Sequence, residues 1–286
     1  MKKLLLSSLI LLGCFYPASA SVVIMDFQGS TVVRDYNIER NLILNSDDDT
    51  EYNIAIKPLS DGLIRTDNDL TIPLSNVYIN NTHEDVYMRY NEYSNVLYNA
   101  IMGGVPKNLT AKVRDFGMVP AGTYNLPIEI QATDVESNSI VSSNVFNLQF
   151  VVPVTQAMSF NLETPTIEVG SSDVFVPSKK VSMITPQIIY VNSNCDWTLS
   201  VNTDNLGDTV SNYYVRTISA SPNINERLQD RVLLEPSKEI VIAKGKAPAS
   251  NETITVEYSL ENKDSGIIPA GNYMNKIKYI LREGNS

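Results

Sequence analysis

Asp115-Phe116-Gly117-Met118-Val119-Pro120-Ala121-Gly122-Thr123-Tyr124 recurs in the second half of the chain as Asp264-Ser265-Gly266-Ile267-Ile268-Pro269-Ala270-Gly271-Asn272-Tyr273, with six of the ten positions identical. In each copy proline presets φ for a turn, glycine supplies a position with φ > 0, and tyrosine opens an alternating run. Tyr124, Leu126, Ile128 and Ile130 share one face of the first run, and Asn125, Pro127, Glu129 and Gln131 share the other. In the second run Tyr273, Ile277, Tyr279 and Leu281 share a face with Asn275. A period of two with one polar face is the pattern of a half-buried antiparallel strand. Tyr52-Asn53-Ile54-Ala55-Ile56 stands to the first copy about as Trp197-Thr198-Leu199-Ser200-Val201 stands to the second. The repeat therefore predicts two related domains in tandem.

Working outward, further alternating or β-branched runs fall at Ser21–Phe27, Asn37–Leu44, Leu70–Ile79, Asn144–Val154, Gln187–Val191, Trp197–Val201, Tyr213–Ile218, Glu239–Ala243 and Thr253–Leu260. Clusters of Asn, Asp, Ser, Gly and Pro separate them. Many short strands at this spacing predict an all-β chain of two tandem immunoglobulin-like antiparallel β-sandwiches. The expected division is a signal peptide at 1–20, an N-terminal sandwich at 21–155 and a C-terminal, pilin-like sandwich at 156–286. Val86, Tyr90, Tyr93, Leu97 and Ile101 recur near helical spacing, but a hairpin of Val77–Asn80 and Val86–Tyr90 around Asn81-Thr82-His83-Glu84 suits the β surroundings better.

The compartment follows from the first twenty residues. Met1-Lys2-Lys3, the apolar run Leu4–Leu12 and Ala18-Ser19-Ala20 form a basic region, a hydrophobic region and a small-residue cleavage site, which predicts export with Ser21 first. Leu11-Leu12-Gly13-Cys14 also loosely resembles a lipoprotein box, which would anchor the chain through an acylated Cys14. Bulky Leu12 fits that box poorly, and the cut after Ala20 fits better. The 22 basic residues fall to 20 without Lys2 and Lys3, against 32 acidic ones, and that balance repels nucleic acid and anionic lipid. No later run approaches the ~20 apolar residues of a membrane-crossing helix. With Cys14 removed, Cys195 has no partner for an intrachain disulfide, so core burial must hold the fold.

The two copies differ in the length of chain beyond them. After Tyr124 the chain makes one strand, turns near Asp134–Ser139, and makes another in which Phe146, Leu148, Phe150, Val152 and Val154 alternate; after Tyr273 it makes one strand and reaches Ser286. In an immunoglobulin-like sandwich the last strand closes the sheet. One reading leaves the second sandwich without that strand, with an apolar groove along Tyr273, Ile277, Tyr279 and Leu281 that invites a strand from another chain. The other leaves it self-closed, either because Phe146–Val154 is its first strand or because the segment near Met158, Phe160 and Leu162 fills the groove.

The stretch Ala270-Gly271-Asn272-Tyr273-Met274-Asn275-Lys276-Ile277-Lys278-Tyr279-Ile280-Leu281 resembles the final strand of chaperone-usher fimbrial subunits and tip adhesins, especially the disulfide-free colonisation-factor class. The resemblance implies an incomplete immunoglobulin-like fold, completed first by a periplasmic chaperone and then by a neighbouring subunit. It also implies an N-terminal domain that binds the host. Trp197-Thr198-Leu199 with a later tyrosine-containing strand is similar, less closely, to cell-wall-attached WxL domains, whose second tryptophan motif is absent here.

Little in the chain points to chemistry. His83 is the single imidazole and sits in the polar turn Asn80–Asp85, so no Ser-His-Asp or Cys-His arrangement is expected elsewhere. One His and one remaining Cys do not make a structural zinc site. Ser46–Glu51 and Asp61–Asp69 are acidic loops without EF-hand spacing and read as solvated turns. Cys195 reads as a small buried hydrophobe. No catalytic residue, metal site or cofactor is therefore expected. Tyr78, Tyr87, Tyr90, Tyr93 and Tyr98 crowd one segment with Asn80, Asn81, Asn91 and Asn95 between them. Tyrosines beside amides suit stacking on a sugar or peptide, which makes Tyr87, Tyr90 and Tyr93 a candidate ligand surface; the competing reading puts half of the rings in the core.

The expectation is a non-enzymatic exported subunit, periplasmic and then on the cell surface or in a fimbrium, assembled by strand complementation of its C-terminal domain. Its partners would be other fimbrial or surface subunits, a periplasmic chaperone and a glycan or host-surface ligand. The alternative is a secreted carbohydrate-binding or cell-wall-binding module.

Overall fold

The computed structural model describes residues 23–26, 32–34, 37–46, 49–101, 103, 105–163, 167–169, 181–183, 185–204, 211–262, 271–272 and 276–284. The expected signal peptide, Cys14 and Tyr273 lie outside them. The described chain is all-β. Its strands are β1 (Val23–Asp26), β2 (Val32–Arg34), β3 (Asn37–Asn45), β4 (Glu51–Pro58), β5 (Gly62–Arg65), β6 (Thr71–Pro73), β7 (Val77–Asn80), β8 (Asp85–Tyr87), β9 (Ser94–Ile101), β10 (Lys107–Val113), β11 (Gly122–Asp134) and β12 (Ile140–Val152). They continue with β13 (Gln156–Phe160), β14 (Glu168–Val169), β15 (Val181–Ser182), β16 (Gln187–Ser193), β17 (Trp197–Thr203), β18 (Ser211–Ala220), β19 (Ile224–Arg227), β20 (Val232–Leu233), β21 (Ile240–Gly245), β22 (Ala249–Asn262), β23 (Gly271–Asn272) and β24 (Ile277–Glu283).

The strands form two immunoglobulin-like sandwiches in tandem. In the first, a sheet of order β1-β3-β10-β7-β8, with β2 also on β3, faces a sheet of order β6-β5-β11-β4-β9, with β12 on the other side of β11. The spine is β11, the strand that comes after the first repeated turn. On one side it pairs with β12 from Gly122↔Val152 to Thr133↔Ile140. On the other it pairs with β5 at Tyr124–Asn125 and with β4 from Ile128 to Asp134. Its inward face, Tyr124, Leu126, Ile128 and Ile130, is buried with Ile54, Ile56, Leu148 and Phe150. The tyrosine of the repeat does more than fill space: its hydroxyl donates to the Pro120 carbonyl at 2.8 Å and ties the strand to the turn before it. Gly122 holds a φ of +153°, which L side chains rarely adopt, and the Arg65 guanidinium lies against it, 2.6 Å from where a Cβ would stand.

The run Leu70–Ile79, expected as one strand, is two. β6 belongs to one sheet and β7 to the other, joined by a single 3-10 turn at Leu74–Asn76. Pro73 cannot donate to a ladder, so the first strand ends there and the chain crosses the sandwich. Beyond it, β7 and β8 form the expected hairpin, Tyr78↔Tyr87 to Asn80↔Asp85, around the left-handed Thr82.

The second sandwich pairs a sheet of order β13-β16-β22-β18-β20, with β15 also on β22, against a sheet of order β19-β21-β17-β24. Its core gathers Trp197, Leu199 and Val201 with Ile189, Val191, Ile242, Ile254 and Val256. The Trp197 ring packs flush on Gly245. Asn194 joins the sandwiches: its side chain donates to the Pro153 carbonyl at 2.8 Å and accepts from the Thr155 N–H at 2.7 Å. Its own N–H donates to the Thr155 carbonyl at 3.1 Å, and its carbonyl accepts from Ala121 of the first repeated turn at 2.6 Å.

Candidate functional site

The two copies of the repeated strand meet different fates. β24 pairs with β17 along one side, from Trp197↔Glu283 to Thr203↔Ile277. Along its other side no strand pairs with it among the described residues. The equivalent side of β11 is covered by all of β12. Burial follows the pairing. Ile128, Ile130 and Ala132 of the first copy are 0%, 3% and 2% exposed. Ile277, Tyr279 and Leu281, at the matching positions, are only half-buried.

The opposite lip of this opening is β13, which pairs with β16 in the other sheet and has no ladder with β24. It contributes side chains instead. The Phe160 ring lies 5.0 Å from the Tyr279 ring, and Met158 packs against the core with Ile277, Tyr279 and Leu281. From beneath, the Tyr258 hydroxyl donates to the Tyr279 hydroxyl at 2.8 Å. Burial pushes the Tyr279 phenol up to about 12 and the Tyr258 phenol well above its usual value, so both stay neutral and the pair holds through the physiological range. At the start of the second copy, β14 pairs with β23, Glu168↔Asn272 and Val169↔Gly271. Among the described residues, the length of β24 with no strand on this side is therefore 277–283.

These contacts bear on the self-closed readings. Of Phe146–Val154, the part up to Val152 lies in β12 and belongs to the first sandwich. The segment around Met158 and Phe160 reaches Tyr279 by side chain, without a backbone ladder to β24.

The tyrosine cluster is divided by the fold. Tyr78 is buried with its ring 5.7 Å from that of Tyr87 on β8 and with the Arg114 guanidinium 4.3 Å above it. Tyr87, Tyr90, Tyr93 and Tyr98 are all exposed. Only Tyr78 is buried, and not in the core: Val77 and Ile79 take the inward positions of β7, so Tyr78 lies on the outer face under Tyr87 and Arg114. Tyr87 lies at the margin of one sheet; Tyr93 serves the other, with Lys57 Nζ 4.6 Å from its ring centroid.

Around Tyr93 stands a network that residue spacing did not single out. Lys57 pairs with Glu129 at 2.5 Å, and Ser143 Oγ donates to the same carboxylate at 2.6 Å. Hydrogen bonds from Lys57, then Ser143 and Tyr93, hold Glu129 down to about 2. Only register could have revealed it: Glu129 lies opposite Lys57 on one side and Val145, two residues from Ser143, on the other.

The remaining candidates are dispersed. His83 is exposed in its turn, and Asp67 is paired with Arg65 at 2.8 Å. Cys195 is half-buried rather than fully buried, with Gln156 Nε2 3.3 Å from its sulfur. Among the described residues no three His, Cys, Asp or Glu side chains gather as metal ligands, and no helix is long and apolar enough to cross a membrane.

No protein-family profile matches the chain, and no curated protein does. Solved structures are similar to it. A chain of the CsuC–CsuE chaperone–tip adhesion subunit pre-assembly complex, from archaic chaperone-usher Csu pili of Acinetobacter baumannii, matches at 10% identity over 80% of this chain and 84% of its own, with a TM-score of 0.37. The CupB6 tip adhesin of Pseudomonas aeruginosa matches at 7% identity over 93% of this chain and 95% of its own, with a TM-score of 0.40.

Proposed function

We propose that this chain is an exported, non-enzymatic adhesive subunit of a surface fibre, and that it assembles when a strand from another subunit seats on the uncovered side of β24. The observation that carries this reading is the unequal treatment of one repeated strand, covered by β12 in the first sandwich and, among the described residues, uncovered in the second. An edge with free backbone groups above half-buried apolar side chains is an acceptor for an alternating strand. The signal sequence at 1–20 supports export, and the likeness of 270–281 to fimbrial subunit ends supports assembly. A periplasmic chaperone is the natural temporary donor for such an edge. The run Val23–Asp26 pairs with β3 of its own sandwich, which favours a donor other than this chain's first strand.

The test uses the chain's own covering strand as probe. A synthetic peptide of residues 142–154, whose Phe146, Leu148, Phe150 and Val152 alternate toward the core, is added to the chain beginning at Ser21. A rise in the melting temperature of the second sandwich, absent with a scrambled peptide, is expected. A sharp transition that ignores the peptide would show that the sandwich needs no donor.

A further inference from the structure

We infer that the outer face of the β6-β5-β11-β4-β9 sheet carries a shallow cleft, floored by Ala55, that binds a neutral oligosaccharide. The inference deepens the adhesive reading by naming a ligand class and the residues that meet it.

The floor follows from register. Ile54 and Ile56 point into the core, so Asn53, Ala55 and Lys57 of β4 point outward. Ile128, Ile130 and Ala132 likewise send Glu129, Gln131 and Thr133 of β11 outward. Ala55 lies opposite Gln131 on β11 and Asn95 on β9, and Gln131 in turn lies opposite Ser143 on β12. A methyl group thus sits among four longer side chains, Lys57 and Asn53 along its strand and Asn95 and Gln131 across it. Ala55 lies 8% exposed beneath them.

The walls suit hydroxyl groups. Neither the Asn95 nor the Gln131 carboxamide has a hydrogen-bond partner among the described residues, so each offers a donor pair and an acceptor. Asn53 is already oriented, its Oδ1 accepting from the Asn99 N–H at 3.1 Å. Two exposed tyrosines stand on the β9 side, Tyr93 before the strand and Tyr98 within it.

Tyr93 is fixed before any ligand arrives. Its ring flanks the Lys57 ammonium at 4.6 Å, Lys57 is itself held by Glu129 at 2.5 Å, and Ser143 holds the far carboxylate oxygen at 2.6 Å. A ring held in place gives up little rotamer entropy on binding, which is where weak carbohydrate contacts otherwise lose their gain. Pyranose rings stack on such faces while their hydroxyls take amide partners.

Charge selects a neutral ligand. Lys57 is already compensated by Glu129, and residues 21–155 hold 17 acidic against 8 basic side chains. A sialylated or sulfated glycan would meet a like-signed field with no free cation in the cleft among the described residues.

The experiment is a glycan array and saturation-transfer NMR on the chain beginning at Ser21, complemented with the 142–154 peptide. The probes are neutral oligosaccharides ending in glucose, galactose, mannose or N-acetylhexosamine, with sialylated counterparts. Neutral probes are expected to bind, Tyr93→Ala to weaken binding about tenfold or more, and Ala55→Arg, which fills the cleft, to abolish it. Asn95→Ala with Gln131→Ala removes both free amides without touching the core, and should weaken binding comparably. Tyr87→Ala, on the other sheet's margin, should leave it unchanged. Failure of every neutral probe to bind, a preference for sialylated ones, or undiminished binding by folded Ala55→Arg and by the double amide variant would each overturn the inference. The peptide's effect on melting temperature is read separately, so a chain that responds to peptide but binds no sugar discards the cleft and keeps the acceptor edge.

Discussion

Ile128 and Ile277 occupy the same place in the two copies of the repeated strand, and replacing each by alanine separates a covered strand from an uncovered one. Ile128 is 0% exposed beneath β12, so Ile128→Ala should cost about 2–5 kcal/mol, the transfer of the lost methyl and methylene groups plus the cavity they leave. Ile277 is half-buried, and Ile277→Ala should cost roughly half as much, about 1–2 kcal/mol. Donor binding should erase the difference. With a strand over β24, Ile277 becomes as enclosed as Ile128 already is, and its substitution should weaken the 142–154 peptide by about 1–3 kcal/mol, roughly 5- to 150-fold in Kd. The assay is built into the molecule. Trp197 is the sole tryptophan and is buried in the second core, so its fluorescence during urea unfolding follows that sandwich alone, while far-UV circular dichroism follows both. At a peptide concentration about 100 times its Kd, linkage adds about 2.7 kcal/mol to the second transition, about 10 °C in melting temperature for a unit of about 130 residues. Equal costs at the two positions without peptide, or a cost at Ile277 that does not grow when peptide is present, would refute the reasoning.

Two further outcomes are expected. Gly245→Ala drives a Cβ into the Trp197 ring, far inside van der Waals contact, and neither backbone nor indole relieves that cheaply, so the second sandwich should lose about 1–3 kcal/mol and the tryptophan emission should shift to the red; wild-type stability with unshifted emission would mean the ring repacks freely. The Glu129 carboxyl, lowered from 4.5 to about 2 by Lys57, Ser143 and Tyr93, should titrate near 2 in carbon-detected NMR of the folded chain. Because its folded pKa is depressed, its contribution is complete above the unfolded value and is lost as pH falls through about 2; Ser143→Ala should move the midpoint upward, and a midpoint near 4.5 in the unmodified chain would show that the network does not form in solution.

The β-sandwich pair was legible because its strongest strands carry their burial in their spelling. Leu126, Ile128 and Ile130 alternate with polar residues and lie where the alternation puts them, and the first Pro-Ala-Gly-x-Tyr turn ends in Tyr124, which bonds back to Pro120. Legibility failed where topology rather than periodicity decided. Leu70–Ile79 reads as one strand, yet Pro73 splits it between two sheets. The side chains around Ala55 are separated by tens of residues in sequence, and only the pairing of β9, β4, β11 and β12 puts them in one row. Tyr87, Tyr90 and Tyr93 could be picked out as exposed candidates, but nothing local to them tells that Tyr93 leans on Lys57 and Glu129 while Tyr87 leans on Tyr78.

An uncovered strand must also avoid pairing with its own kind, and the outward residues of β24 address that. Where the covered copy has Glu129 and Thr133, the uncovered copy has Lys278 and Arg282. Both lie on an exposed face, paired with Asp204 at 2.5 Å and Glu239 at 2.6 Å. Two copies meeting edge to edge through β24 would bring these cations toward each other across the new ladder, and like charges facing across strands are unfavourable. A donor with the character of β12, whose outward residues include Val145, Asn147, Gln149 and Val151, meets no such penalty. Replacing Lys278 and Arg282 together by serine should therefore leave peptide binding largely intact while raising concentration-dependent self-association in sedimentation velocity. Unchanged sedimentation of the double variant at concentrations where its second sandwich still accepts the peptide would mean that these charges do not guard the edge.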